Sequence, residues 1–211
     1  MPPIDLPLLL SYAGTALFAA TGAMAAARRK HDIVTFVFFA AITGLGGGTL
    51  RDLLLGQPIV WVREPSHMLT AVAVGALVWL VGFRERAARM LLWPDALGLS
   101  TFAVLGADKA LTLHYSSYVA VLMGVLTATA GGIIRDITAG EPSVLLGREI
   151  YITAALLGAI VCVVATPLAG AEVASLAGFL AGAALRIAAM VLGWRLPAYA
   201  GGLFGVRERA S

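Results

Sequence analysis

Apolar and polar positions alternate in long blocks, dividing the chain into seven apolar runs separated by charged or proline-marked breaks. The runs fall at 7–27, 33–55, 67–83, 94–113, 117–138, 149–168 and 173–194, each close to the ~20 residues a helix needs to cross a bilayer core. Arg28-Arg29-Lys30-His31-Asp32 separates the first two, and Gln57-Pro58 to Pro65 follows the second. Arg84-Glu85-Arg86 through Trp93-Pro94 follows the third, Glu141-Pro142 the fifth, Pro167 closes the sixth, and Arg195 with Pro197 the seventh. Few segments alternate with a period of two, which favours helices over a barrel. The pattern predicts an all-α integral membrane protein with seven transmembrane helices in a single membrane domain over 1–211.

Composition agrees. The 211 residues are 60% hydrophobic and 13% charged, with a mean hydropathy of +0.90, against about 25% charged in soluble domains. That excess of apolar surface excludes a soluble enzyme. The net charge of +3 does not point to nucleic acid, because the Lys and Arg residues sit in short clusters between apolar runs. Cys162, the single cysteine, lies inside an apolar run and supports neither a disulfide framework nor a metal cluster. The first run is expected to be a retained span, because its positive charges follow it instead of preceding it.

Charge asymmetry sets the expected direction. The first, third and fifth breaks and the tail hold Arg28, Arg29, Lys30, Arg84, Arg86, Arg89, Arg148, Arg195, Arg207 and Arg209. The opposite breaks hold little beyond Arg63. The positive-inside rule then puts the N-terminus outside and the C-terminus in the cytoplasm.

The chain also repeats itself. At an offset of 84 residues, Phe18 matches Phe102, Gly22 matches Gly106, Thr43 matches Thr127, and Gly47-Gly48 matches Gly131-Gly132. Arg51-Asp52 matches Arg135-Asp136, Gly56 matches Gly140, and Pro58 matches Pro142. Each copy, 7–83 and 94–168, holds three spans. An odd number inverts the second copy, predicting two inverted three-helix repeats plus a seventh helix at 173–194. Such repeats commonly place a permeation or binding site where their broken helices meet.

The duplicated motif carries the candidate chemistry. Gly44-Leu45-Gly46-Gly47-Gly48 and Gly131-Gly132 fall inside the second and fifth runs. Each glycine costs about 1 kcal/mol in a helix interior relative to alanine. The sequence therefore predicts a kink or unwound turn that frees carbonyls toward a cation, or close small-residue contact between helices. Thr43 and Thr127 add hydroxyls beside these runs. Arg51-Asp52 and Arg135-Asp136 follow one turn later. Neighbours on a helix diverge by about 100°, so each Arg and Asp is expected to cap a broken helix or pair with another helix rather than with each other. An ion-pair network and direct lining of an ion path are the two readings.

Asp108-Lys109 lies deep in the fourth run, where an unpaired charge costs about 2.5–3.5 kcal/mol on insertion scales. Its repeat mate is Met24-Ala25. Pairing with an Arg-Asp motif, or a role as a gate or charge sensor, would explain it. Lys109 would repel cations, which suits gating better than selectivity. Weaker candidates are the hydroxyls of Ser11, Thr15, Thr21, Ser100, Thr101 and Thr129. Arg186 is expected at an interface, and His31, His67 and His114 in solvent near span ends. Trp61, Trp79, Trp93 and Trp194 are expected in interfacial belts.

GLGGGTLRDLLLGQP at 44–58, AGGIIRDITAGEP at 130–142 and LGADKAL at 105–111 resemble the prokaryotic members of the trimeric intracellular cation channel family. They equally resemble bacterial inner-membrane proteins described as glycine-transporter-like. The resemblance covers roughly 8–195. It implies a homotrimer of seven-helix subunits, each with an hourglass pore conducting potassium and, less selectively, sodium. The pore would lie between the first, second, fourth and fifth spans, with Gly46-Gly48 and Gly131-Gly132 near its centre and Lys109 at the family's fourth-helix lysine. The animal members carry a different motif at the second-span kink and bind a phosphoinositide there. This chain keeps the glycine-RD form, so other anionic lipids are the expected membrane partners.

The reading is a potassium-permeable cation channel of the inner membrane, with membrane lipids, monovalent cations and its own copies as partners and no cofactor. The alternative is a secondary transporter for a small amino acid such as glycine. A membrane scaffold is a third class. An intramembrane enzyme lacks a base and nucleophile.

Overall fold

The computed structural model describes residues 6–82, 92–143 and 149–197. Within these the chain forms eight helices and no named strand: α1 (Leu6–Arg28), α2 (Ile33–Leu54), α3 (Val60–Arg63), α4 (Ser66–Val81), α5 (Leu92–Thr112), α6 (Ser117–Ala139), α7 (Ile152–Ala169) and α8 (Ala171–Leu192). The seven longer helices coincide with the seven apolar runs to within a few residues. The single-turn α3 was not expected. Five helices, α1, α2, α6, α7 and α8, are long and apolar enough to cross a membrane. α4 is shorter at 16 residues, and α5 carries three charges, Asp95, Asp108 and Lys109. Arg84, Arg86, Arg89, Arg148, Arg207 and Arg209 lie outside the described residues, as do the ends of the chain.

α1, α2 and α4 pack together, as do α5, α6 and α7. The two groups meet where α1 crosses α5 and α2 crosses α6, while α8 lies against α7 and α5. Alanines fill the interior: Ala19, Ala23, Ala26, Ala40 and Ala71 in one group, and Ala103, Ala128, Ala154 and Ala155 in the other. Small side chains let helix backbones approach closely, which is how helices associate in lipid. The large apolar residues point outward instead, including Val34, Leu53, Leu69, Leu80, Ile137, Val164 and Leu180. In water such a surface would drive aggregation; against lipid it is a solvent-matched coat.

Helix ends follow local chemistry. Asp32 caps α2 by accepting the Thr35 N–H at 2.8 Å, a bond that holds its carboxyl below the usual carboxylate range. The glycines of the duplicated G-x-P string terminate α2 and α6 identically. Gly56 and Gly140 both have φ of 63°, and the next N–H reaches back to Asp52 O at 2.8 Å and Asp136 O at 2.9 Å. This is the left-handed closure that favours glycine. α1 and α5 likewise close through Lys30 at φ 56° and His114 at φ 62°, also 84 positions apart. Pro167 does not close its helix: α7 runs on to Ala169, and Gly170 ends it with its N–H on Thr166 O at 3.0 Å.

Because a side chain at positive φ is strained, Gly56→Ala and Gly140→Ala should each cost about 1 kcal/mol. Gly48→Ala, at a helical φ with only Arg51 Nη2 within 4 Å of the added Cβ, should not. Thermal unfolding of the detergent-purified variants checks the contrast: the first two melt below wild type, the third does not.

Candidate functional site

The centre of the molecule is the crossing of α2 and α6. The unwound turn expected at the glycine runs is absent: both helices are continuous, and none of their internal glycines has a positive φ. The glycines instead remove bulk. A Cβ on Gly47 would strike the Thr127 carbonyl oxygen, and one on Gly131 would strike the Thr43 carbonyl oxygen. Thr43-xxx-Gly47 and Thr127-xxx-Gly131 thus form one reciprocal small-xxx-small contact. Gly46 faces Ile134, and Gly132 faces the Tyr151 hydroxyl. Thr127 Oγ1 donates to Met123 O at 2.5 Å, and Ser100, Thr101 and Thr129 also bond back to their own helices. The Thr43 hydroxyl is fully buried and has no hydrogen-bond partner among the described residues.

On one side of this crossing lies a first charge cluster. Asp52 Oδ1 accepts Arg51 Nε at 2.9 Å, Arg51 Nη2 at 2.8 Å and Lys109 Nζ at 2.7 Å. Its Oδ2 accepts the Val60 N–H at 3.1 Å, tying α3 to the end of α2. Arg51 therefore does pair with its own Asp. The Cα–Cβ directions diverge, yet the arginine stem is long enough to fold its fork back onto the next residue. Lys109 bridges α5 to α2, the pairing that was one of the two readings open for it. Together with Ser11, Thr15, Gly44, Gly48, Trp61, His67 and Asp108, these residues line a cavity of about 300 Å³. Phe102 and Leu105 also border it.

His67 was expected in solvent but is buried: its Nε2 lies 3.0 Å from Ser11 Oγ and its ring stacks on Tyr12 at 4.3 Å. The first turn of α4 leans on α1, which takes the imidazole out of water. Trp61 donates its Nε1–H to Thr49 Oγ1 at 2.9 Å. Trp79, Trp93 and Trp194 are exposed.

A second cluster lies at the opposite end of α5. Arg135 Nε donates to Asp136 Oδ1 at 2.9 Å, while Nη1 donates to Asp95 Oδ1 at 2.6 Å and Thr21 Oγ1 at 3.0 Å. Arg135, Asp95 and Asp136 are all nearly inaccessible. Two carboxylates hold one guanidinium here, whereas the first cluster holds two cations on one carboxylate. Asp95 is the residue the motifs missed. Its signal was a lone carboxylate in the first turn of an apolar run, where the other repeat has Ser11. Arg186 finds its partners within the protomer. It is buried, gives Nη2 to Glu149 Oε2 at 2.7 Å, and lies 5.1 Å from the Tyr151 ring centre.

An apolar helical coat around buried ion-pair clusters and a polar cavity is the build of a helical membrane protein. A family model described as "Glycine transporter" matches the chain twice, over 8–83 and 92–167, so the same pattern recurs 84 residues on. The inner membrane protein YadS of Escherichia coli strain K12 is 35% identical over 199 residues, covering 90% of this chain and 95% of that protein. The trimeric intracellular cation (TRIC) channel orthologue from Rhodobacter sphaeroides is 46% identical and superposes with a TM-score of 0.86, covering 89% of this chain and 98% of that one. A prokaryotic TRIC channel crystallised in 0.5 M KCl is 30% identical, with a TM-score of 0.83 over 90% of this chain and 98% of the other. The chain belongs to the prokaryotic TRIC channel family, which the glycine-transporter family model also describes.

Stripping one partner from a buried pair costs about 3–5 kcal/mol, whereas a partly exposed pair contributes ~1 kcal/mol or less. Asp95→Ala should therefore lower the thermal midpoint far more than Glu141→Gln, whose pair with Arg28 is partly exposed. Equal effects in a thermal unfolding assay would contradict the buried network.

Proposed function

We propose that the protein is a potassium-permeable cation channel of the inner membrane, assembled as a homotrimer with one ion path inside each protomer. The path runs between α1, α2, α5 and α6, with seven spans arranged as two inverted repeats, 7–83 and 94–168, plus the last helix at 173–194. The N-terminus faces outside and the C-terminus the cytoplasm. The observation that carries this reading is the cavity, which lies between α1, α2 and α5, with Trp61 and His67 at its border, beside Arg51, Asp52, Asp108 and Lys109. Membership in a family whose solved members are named as cation channels supports it. The glycine-transporter alternative has no such structural support.

Permeant potassium or sodium passes without a resident cofactor. Gly46, Gly47, Gly48, Gly131 and Gly132, with Thr43 and Thr127, form the waist, where helices cross at backbone distance. Arg51-Asp52 and Arg135-Asp136 flank the waist at its two ends. Lys109 is the gating group. Its ammonium group lies within ion-pair distance of Asp52 and beside the cavity, so breaking that pair frees a charge in the path and releases α5 from α2. One charge moved across 100 mV is worth about 2.3 kcal/mol, which gives shallow voltage dependence.

Single-channel recording of the purified protein in asymmetric potassium chloride tests the reading. Discrete steps reversing near the potassium potential are expected. Silent bilayers with saturable uptake of labelled glycine into matched liposomes would overturn it. Lys109→Ala should change open probability or its voltage response while the trimer persists on gel filtration; an unchanged record would remove the gating role.

A further inference from the structure

One residue lining the cavity belongs to an aromatic pair. Phe102 borders the cavity, and the Phe18 ring, outside the lining, packs on Phe102 with centroids 5.2 Å apart and planes tilted by 55°. Both are buried, at 1% and 6% exposure. Each sits within one residue of the middle of its helix, α1 or α5. The pair is also related by the 84-residue repeat, and so are the seats of the two rings. The Phe18 ring fills the space in front of Gly98 and reaches Gly131, while the Phe102 ring fills the space in front of Gly14. Gly14 and Gly98 are themselves repeat mates.

Along α1 the sequence of environments is polar, apolar, polar. Ser11 and Thr15 line the cavity, Phe18 follows one turn on, and Thr21 one turn further accepts from Arg135 of the sealed cluster. Phe18 is thus the apolar position on this α1 face between the cavity and the second cluster, and Phe102 of α5 packs on it. A narrow apolar constriction excludes water and hydrated ions without a charged barrier.

Resting on the channel reading above, we propose that Phe18 and Phe102 form the closed gate of the ion path, a repeat-related aromatic plug at the middle of the membrane. Opening swings the rings out of their seats and joins the cavity to the Arg135 end. The plug separates the cavity from the buried Arg135 cluster, which opening would connect to it.

Thallium flux into liposomes carrying the purified protein tests this, with gel filtration confirming assembly. Phe102→Ala and Phe18→Ala are each expected to raise resting flux about tenfold, since truncation removes one of a pair of rings that stabilise the closed state. Phe102→Leu keeps much of the apolar volume and is expected to give a smaller rise, which keeps the test valid if the alanine variants do not assemble. Assembled variants with wild-type flux would overturn the gate while wild-type conduction leaves the channel reading intact. A wild-type protein that passes no cation would overturn both.

Discussion

The close approach of α2 and α6 constrains everything around it. At Thr43-Gly47 and Thr127-Gly131 each helix presents a backbone carbonyl where the other has no side chain. Lipid supplies no hydrophobic force between helices, so such contact, dispersion and hydrogen bonding must hold them. The same economy recurs where Gly22 meets the Phe39 carbonyl and Gly106 the Met123 carbonyl. With both helix pairs drawn together, α1 and α5 are brought across one another and the clusters at their ends are set. A single Cβ at Gly47 or Gly131 would push apart the two halves that these contacts join.

The charges answer a second constraint, the cost of ionised groups away from water. Each Arg-Asp pair neutralises itself first and then recruits one more group from α5: Lys109 at one end, Asp95 at the other. α5 thus ties itself to α2 at one end, while at the other it holds Arg135 of α6, which itself reaches Thr21 on α1. The recruits have opposite charge, which leaves the first cluster cation-rich and facing a cavity, and the second anion-rich and sealed. The asymmetry lies in residues outside the repeated motif, because Ser11 and Ala25 stand where the second copy has Asp95 and Lys109.

Much of this was legible in the residues. The seven runs gave helix positions, the family model matches twice at the same fixed offset, and a partner in an Arg-Asp motif was one of the two readings of the intramembrane Lys109. Other features were not legible, for physical reasons. A glycine run has the same composition whether the helix unwinds or packs, and only a neighbour's carbonyl decides. Helical angles show where side chains start, not where a long arginine ends, so the Arg51–Asp52 and Arg135–Asp136 pairs were misread. His67 looked like a span-end residue until α4 was seen to lean on α1. Asp95 belonged to no motif and became visible only beside Arg135.

The central claim is that ions pass within each protomer, through the cavity beside α2. Gly48 lines that cavity and has open space where a side chain would begin, so a Gly48→Cys variant presents a thiol to the path. Single-channel current should be recorded while a positively charged thiol reagent is added. Progressive loss of current, absent in the wild type with its buried Cys162, is the predicted result. Complete labelling of Gly48→Cys with current unchanged would contradict a path through the protomer.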